Sequence, residues 1–242
     1  MRIQKYLSQC GLCSRREAEK KILEGLVSVN GETAEIGRVI DPEKDRVVFE
    51  GRPVKGPSAE RVVIAMNKPA GYLCTNEDQF GGRTVFELLR APYSGMKMFC
   101  VGRLDKNSEG LLIITNDGDL ANRIIHPSNG IVKRYRVLLN RDFDETLVPR
   151  LLEGVCHDGE KLRAARVVLP SGRNVTMRER RLEIWLNQGR KREIRRMMEA
   201  VGFFVKELVR FQIGSFELRR IPVGDYRVLS QKDVDKLLSN PQ

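Results

Sequence analysis

A segment rich in glycine and proline divides the chain into a short and a long part. It runs Gly51-Arg52-Pro53-Val54-Lys55-Gly56-Pro57-Ser58. Proline lacks an amide hydrogen and glycine is conformationally free, so this composition favours a connection over a helix or a central strand. The chain has 242 residues, which is enough for two domains. We therefore predict a small domain over residues 1–50, a linker over 51–60 and a larger domain over 61–242.

The small domain carries clear signals for one helix and one hairpin. Ser14 and Glu17 have the spacing of a capping box, and Gly25 is a plausible end for the helix that follows. Leu26 to Val29 reads as a strand that is turned by Asn30-Gly31, a strong hairpin signal. The helix is basic, and Arg15, Arg16, Lys20 and Lys21 are its candidate residues for binding an anionic partner.

The larger domain mixes strand and helix patterns in an irregular order, which is typical of an α+β fold. Apolar runs predict strands at Val62 to Met66, Met98 to Val101, Leu111 to Thr115, Tyr135 to Leu139 and Leu182 to Leu186. Helical spacing predicts one helix from Arg190 to Val201, a second from Asp119, and a last one with Ser230 as its cap and Asp233 in its first turn.

Net charge indicates the class of partner. The chain has 43 Lys and Arg against 32 Asp and Glu, a net charge of +11 that favours a polyanion. The start of the chain lacks the apolar core of a signal peptide, and the sequence has no apolar run long enough to span a membrane. Its five cysteines do not suggest a disulfide framework. We expect a cytosolic protein with reduced thiols.

Basic residues concentrate between Ser171 and Arg196. This segment has nine basic residues against three acidic ones, and arginine, whose planar fork matches phosphate oxygens, dominates. A solvated helix face with many ion pairs is the alternative interpretation. The nine basic residues are Arg173, Arg178, Arg180, Arg181, Arg190, Lys191, Arg192, Arg195 and Arg196.

A polar loop from Val101 to Gly110 separates two apolar strands and is the candidate reactive centre. Asp105 lies there between Arg103 and Lys106, so its carboxylate has positive charge on both sides and could act as a nucleophile or a base. An aspartate in such a loop is also commonly a turn or ion-pair residue. Spacing alone does not separate these alternatives.

The loop belongs to a longer pattern that resembles a known family, the RNA pseudouridine synthases of the RsuA type that modify ribosomal RNA. The resemblance is carried by Gly102-Arg103-Leu104-Asp105, Ser108-Glu109-Gly110-Leu111-Leu112 and Thr115-Asn116-Asp117-Gly118. Other motifs of the family are matched in order by Asn67-Lys68-Pro69-Ala70-Gly71, Lys133-Arg134-Tyr135 and Gly189 to Met197. The segment from Ser14 to Gly31 resembles the RNA-binding domain of ribosomal protein S-four. The resemblance implies such a domain followed by a catalytic α+β domain, whose mixed, largely antiparallel sheet is flanked by helices.

The resemblance also implies residue roles. Asp105 is then the nucleophilic carboxylate for converting uridine to pseudouridine, and Arg195 pairs with it. Tyr135 packs on the target ring, Ile194 lines the pocket beneath it, and Arg103 fills the gap that the extruded base leaves. The remaining predicted substrate-binding residues are Lys133, Arg190, Lys191, Arg192 and Arg196.

The implied enzyme is a monomer that needs no metal, no nucleotide and no other cofactor, and its partner is ribosomal RNA or a ribosome assembly intermediate. Two positions depart from the family pattern: Ser108 stands where many relatives have Thr, and Glu193 stands where many have Gln. Glu193 could pair with Arg192 or Arg196, or weaken phosphate contact.

Two other classes of protein remain as alternatives. A non-enzymatic RNA-binding or ribosome-assembly protein would share the basic surface and the small N-terminal domain. A redox or zinc protein could use Cys10 and Cys13, which have CxxC spacing, but the sequence offers no second pair of ligands. The set of Asp105, Tyr135 and Arg195 favours the enzyme.

Overall fold

A computed structural model describes residues 1–57, 60–76, 78, 81–169 and 180–241. The chain forms two compact units. The first comprises Met1–Val62 together with Asn116–Gly118, and the second comprises Val63–Thr115 and Asp119–Gln242. Arg173 and Arg178, two of the basic residues singled out above, lie outside the described residues.

Two helices and a four-stranded antiparallel sheet build the first unit. The sheet has the order β2-β1-β3-β4. Ile3, Leu7 and Ile22 from the helices pack with Val27 and Val47 from the sheet in its core. The elements are α1 (Ile3–Gln9), α2 (Arg15–Leu23), β1 (Val27–Val29), β2 (Glu32–Thr33), β3 (Val47–Phe49) and β4 (Arg52–Pro53).

The local signals in this unit are confirmed. Ser14 and Glu17 cap α2 reciprocally, and Gly25, with a φ of 72°, follows its end. Asn30 and Gly31 both adopt positive φ and turn β1 into β2. The predicted linker contributes its first residues to the sheet, because β4 pairs with β3. Helix α1 was missed.

The second unit contains a nine-stranded mixed sheet among its described residues. Its main path is β11-β12-β8-β13-β7-β5-β15, with β14 on β13 and β6 on β7. The β13–β7 pair is parallel and the other pairs are antiparallel, so the predicted mixed, largely antiparallel sheet is confirmed. The strands of this sheet are β5 (Val63–Lys68), β6 (Phe99–Val101), β7 (Glu109–Thr115), β8 (Lys133–Leu139), β11 (Arg166–Val168), β12 (Arg181–Leu186), β13 (Val205–Ile213), β14 (Phe216–Glu217) and β15 (Tyr226–Val228). Two further strands, β9 (Val155–His157) and β10 (Glu160–Leu162), form a separate antiparallel pair. The helices are α3 (Gly118–Ile125), α4 (Val148–Glu153), α5 (Glu193–Glu199) and α6 (Gln231–Leu238).

The centre of this sheet is buried on both faces. Ile113 and its neighbours on one face pack against Ile124 of α3 and Leu237 of α6. On the other face Ile64 and Ile114 are fully buried. Buried strands of this kind read as continuous apolar runs, which is why β5 and β7 could be predicted from the sequence. Among the described residues, no helix combines the length and the apolar character that crossing a membrane requires.

Two expectations about this unit need correction. The predicted helix from Arg190 to Val201 begins only at Glu193 and ends at Glu199, because Arg192 adopts a left-handed conformation with a φ of 52° that breaks the helix before it. Strand β13 was missed, although it joins β8 to β7. Its buried Arg210 and Gln212 hide the apolar pattern on which a strand prediction depends.

Gly110 allows β7 and β13 to approach each other closely. Its φ is 100°, and a Cβ added there would lie 2.2 Å from the carbonyl oxygen of Arg210. We predict that Gly110→Ala lowers the free energy of unfolding by about 3 kcal/mol, since it combines left-handed strain with a backbone clash. Urea unfolding measures this change. Gly95→Ala is the matched control, because Gly95 has no heavy atom near its added Cβ, and a loss as large in that variant would contradict the explanation.

Candidate active site

A cleft of about 990 Å³ opens in the second unit. The loop between β6 and β7 forms one wall, β8 and β13 form the floor, and the start of α5 forms the opposite wall. Eight of the predicted site residues, from distant parts of the sequence, line it together: Arg103, Asp105, Lys133, Tyr135, Arg190, Lys191, Arg192 and Ile194. Loops on a rigid sheet commonly carry chemistry, and this cleft has that arrangement.

Asp105 and Arg195 form an ion pair at the loop. Nε of Arg195 lies 3.7 Å from Oδ2 of Asp105, beyond direct hydrogen-bond distance but within reach of strong electrostatic attraction. Arg195 is held from behind, because its Nη1 donates to the carbonyl of Val205 at 2.8 Å and its Nη2 lies 3.4 Å from Oγ of Ser108. Burial lowers the pKa of Arg195, and the charge of Asp105 opposes that shift. The hydroxyl that Ser108 keeps therefore helps to place the guanidinium.

Lys68 binds the backbone of the loop between β6 and β7. It is fully buried at the end of β5, and its ammonium donates to the carbonyl oxygens of Pro69 at 2.9 Å, Lys106 at 3.2 Å and Ser108 at 2.8 Å. The last two carbonyls belong to the loop segment that directly follows Asp105 in the chain. Burial lowers the pKa of Lys68, but three acceptors satisfy all three of its donors. The sequence prediction gave Lys68 no role, although a lysine that ends an apolar strand was the available signal.

A pair of thiols adjoins the same loop. Sγ of Cys74 accepts a hydrogen bond from the backbone amide of Leu104 at 3.5 Å and also receives one from the thiol of Cys100. The bond from Cys100, with help from the charges of Lys68 and Arg210, lowers the pKa of Cys74 to about 6, and raises the pKa of Cys100 in turn. The surroundings of Cys74 thus favour its thiolate form. Sequence reasoning did not single it out.

The floor of the cleft is built by neighbouring strands. Tyr135, 8% exposed, lies on β8 directly opposite Arg210 on β13. Arg210 is almost fully buried, and its Nε donates to the carbonyl of Leu111 at 2.7 Å. Lys133, two residues before Tyr135, donates to the carbonyl of Ile124 at 3.3 Å. A planar aromatic ring and two cations therefore face the same space.

Glu193 has a role that neither sequence-based alternative foresaw. It is buried at the start of α5, where Oε1 accepts from Nε2 of Gln188 at 2.7 Å and Oε2 accepts from the backbone amide of Arg190 at 2.9 Å. Burial raises its pKa. Glu193 thus binds neither Arg192 nor Arg196 and instead fixes the segment that lines the cleft before α5.

The predicted basic residues of this region fall into two groups. Arg190 and Arg196 both bind Glu160, at 2.9 and 2.7 Å, and Arg196 is not among the residues that line the cleft. Lys191 and Arg192 are exposed and line the cleft. On α2 of the first unit, Arg15, Arg16 and Lys20 are exposed, whereas Lys21 pairs with Glu24 and Glu50.

Cys10 and Cys13 pack with the core of the first unit. Burial raises the pKa of Cys10 to about 11, which disfavours the thiolate that metal binding and redox chemistry need. In the described part of the chain, no group of three or more His, Cys, Asp or Glu side chains could hold a metal ion.

Both units of the chain match known protein families. Residues 62–200 match the family model described as RNA pseudouridylate synthase, and residues 1–47 match the S4 domain. The chain belongs to the RNA pseudouridylate synthase family. The predicted enzyme class, the RsuA-type resemblance and the S4-type N-terminal domain are thereby confirmed.

Individual relatives align over nearly the whole chain. An uncharacterized RNA pseudouridine synthase of Aquifex aeolicus is 41% identical, with 98% of this chain and 93% of that one covered. Ribosomal large subunit pseudouridine synthase B of Vibrio vulnificus is 38% identical (98% and 74% covered), and the dual-specificity RNA pseudouridine synthase RluF of Escherichia coli is 36% identical (99% and 80% covered). A crystal structure of a pseudouridylate synthase superposes with a TM-score of 0.69 at 29% identity, covering 98% and 99% of the two chains.

Lys68 offers a test of how this synthase holds its loop. We predict that Lys68→Met lowers the free energy of unfolding by about 2 to 4 kcal/mol, because it leaves buried carbonyls without a donor. It should also lower the rate of pseudouridine formation, since two of these carbonyls belong to the loop segment that directly follows Asp105. Chemical unfolding and a single-turnover assay measure the two effects. Lys106→Met, on an exposed side chain of the same loop, is the control, and equal losses in both variants would contradict the prediction.

Lys133 gives the enzyme a pH-dependent stability. Burial lowers its pKa from 10.5 to about 8. Between these values the unfolded chain keeps a proton that the folded one has lost, so the contribution of Lys133 to stability rises with pH across that window. We predict that wild type gains stability relative to Lys133→Met from about pH 8 to about pH 10.5, as measured by urea unfolding at each pH. Lys232→Met, at an exposed position of α6, should run parallel to wild type.

Proposed function

We propose that this enzyme isomerises a specific uridine to pseudouridine in large-subunit ribosomal RNA, with Asp105 as the nucleophile. The observation that carries the proposal is the carboxylate of Asp105, which lines the cleft and lies 3.7 Å from the guanidinium of Arg195. The choice of RNA rests on relatives: the similar proteins of Vibrio vulnificus and Vibrio cholerae are named ribosomal large subunit pseudouridine synthase B.

The reaction requires the bond from the ribose to a uracil nitrogen to break, the uracil to turn, and a bond to a uracil carbon to form. Substrate and product are isomers, so the reaction needs neither an oxidant nor a reductant. The side chain of Asp105 is about one third exposed, which leaves its carboxylate accessible to a bound nucleotide. Arg195 places a fixed positive charge beside that carboxylate, and its contacts with Val205 and Ser108 hold it in position while negative charge moves.

The target base must leave its stack before a carboxylate can reach it. Tyr135 and Ile194 line the cleft and offer an aromatic and an aliphatic surface to a flipped uracil. Arg103 is exposed at the rim, where its side chain can fill the gap left in the RNA. Lys191 and Arg192 line the cleft with free positive charge that phosphates can bind.

We propose a cytoplasmic enzyme that works as a monomer without metal or nucleotide, on ribosomal RNA or on a ribosome assembly intermediate. The exposed Arg15, Arg16 and Lys20 of α2 support RNA binding by the first unit as well.

The decisive test maps pseudouridines in both ribosomal RNAs by carbodiimide labelling and reverse transcription. Cells that lack the protein are compared with the same cells given wild type or Asp105→Ala. We predict that one large-subunit site disappears and that only wild type restores it, because Asp105→Ala should slow isomerisation by at least about 10³-fold while RNA binding persists.

Asp78→Asn is the matched control, since Asp78 is a second carboxylate that lines the cleft and an amide oxygen can still accept its bond from the backbone of Gly82. It should restore the site. If no site depends on the protein, the non-enzymatic assembly role replaces the proposal. Substantial turnover by purified Asp105→Ala would falsify the nucleophile assignment.

A further inference from the structure

Aromatic rings and guanidinium groups alternate in one stack on the sheet of the second unit. Its order is Arg166, Trp185, Arg134, Phe211 and Arg136, and each guanidinium carbon lies 4.5 to 4.9 Å from the centre of the ring beside it. A guanidinium in this position is attracted by the electrons of the ring, and its rotation is restricted. The stack thus holds three planar cations on the surface of a rigid sheet.

The stack lies on the face of the sheet that is turned away from the cleft. Successive side chains of a strand point to opposite faces. Lys133 and Tyr135 of β8 line the cleft, so Arg134 and Arg136 of the same strand point the other way. Trp185 of β12 pairs directly with Arg134 and shares its face. We call this surface, formed by β11, β12, β8 and β13 opposite the cleft, the outer face.

Positive charge on the outer face is unequally neutralised. Arg134, in the middle of the stack, binds Glu183 at 2.6 Å and Gln212 at 2.7 Å. Arg136 and Arg166, at the two ends, are exposed, and no ion pair joins either of them to an acidic side chain in the described part of the chain. The two ends therefore present guanidinium edges whose hydrogen-bond donors are available to a ligand.

We propose that the outer face is a second RNA-binding surface, on which Arg136 and Arg166 bind phosphate groups of RNA that extends beyond the cleft. The inference rests on the RNA substrate proposed above. Uncompensated guanidinium groups match phosphate oxygens in charge and shape, and the rings beneath them reduce the conformational entropy lost on binding. The cations are spread over several strands of a flat face. They therefore suit the repeated phosphates of an RNA backbone better than they suit a single acidic side chain. RNA bound at the cleft is thereby held on two sides of the sheet.

The test compares Arg136→Gln/Arg166→Gln with wild type on two unmodified transcripts: whole large-subunit ribosomal RNA and a short stem-loop that carries the target uridine. Binding is measured over a range of salt concentrations. We expect the Kd for the long RNA to rise about tenfold at low salt, and the slope of log affinity against log salt to fall by about one for each lost phosphate contact. Binding and conversion of the short stem-loop should stay unchanged.

Two further variants separate the possible causes. Lys232→Gln/Lys236→Gln removes the same charge at two exposed positions of α6, which does not belong to the outer face, and should not reproduce the effect. Arg136→Lys/Arg166→Lys keeps the charge and loses the planar fork, so it should keep the salt slope with an intermediate affinity. An unchanged salt slope for the long RNA, or an equal loss of stem-loop binding in both outer-face variants, overturns the proposal. The proposal is also overturned if the Arg136→Gln/Arg166→Gln variant binds RNA normally but no longer binds a ribosomal protein.

The outcomes also distinguish this proposal from the proposed function. Failure of wild type to convert the stem-loop refutes the assigned reaction but leaves the binding comparison readable. Normal conversion of both transcripts by the outer-face variant, with unchanged binding, refutes the second surface alone.

Discussion

The buried ammonium of Lys68 is the interaction on which the active-site loop depends. Burying a charged group away from water is unfavourable in free energy. Here that cost is offset because three carbonyl oxygens accept hydrogen bonds from the ammonium. Two of those carbonyls, from Lys106 and Ser108, directly follow Asp105 in the loop, so binding the lysine fixes the backbone next to the carboxylate. The loop accepts one more hydrogen bond from the segment after β5, because the amide of Gly71 donates to the carbonyl of Lys106 at 2.8 Å. Placement of Asp105 is thus a result of satisfying a buried cation.

The same balance of buried charge extends across the site. Arg195 is largely removed from water and compensated by Asp105, while Arg210 has a backbone carbonyl and the nearby Cys74. The carboxylate of Glu193 accepts hydrogen bonds from the side-chain amide of Gln188 and the backbone amide of Arg190, and no ion pair joins it to a cation in the described part of the chain. Each of these groups binds backbone of an adjacent segment, so the polar groups of the cleft also join β5, β7, β13 and α5. Pre-organisation of this kind lets a site stabilise moving charge without rearranging.

Elements with a continuous apolar run or a capping motif could be predicted from the sequence. Elements that combine buried polar residues with apolar ones could not. The apolar runs of β5 and β7 and the caps of α2 and α6 carry local signals, and all were found. Strand β13 was missed because Arg210 and Gln212 are buried through partners on other strands, which no local pattern reveals. Helix α5 was started too early because nothing local in the basic segment Arg190 to Arg192 reveals that Glu193 binds the amide of Arg190 and that Arg192 adopts a left-handed conformation.

Prediction of the site shows the same division. The motif resemblance named Asp105, Tyr135, Arg195 and Ile194, and the structure brings these four to one place. Residue type alone overestimated the free positive charge, since Arg190 and Arg196 both bind Glu160, a residue distant in sequence. Conversely, residue type did not reveal the importance of Lys68, which depends on hydrogen bonds to carbonyl groups of a different segment. What a charged side chain does is decided by its partners, and partners are a property of the fold.

Strand β8 shows how tightly these functions are coupled. Lys133 and Tyr135 face the cleft while Arg134 and Arg136 face outward, so a slip of one residue in its pairing with β12 or β13 would exchange the two sets. Such a slip would bury two arginines and expose the aromatic ring, and both changes are unfavourable. The alternation therefore protects the register of the central sheet at the same time as it supplies each face with its own chemistry. The arginines on the outer face stabilise the arrangement of the residues in the cleft even though no atom of theirs reaches it.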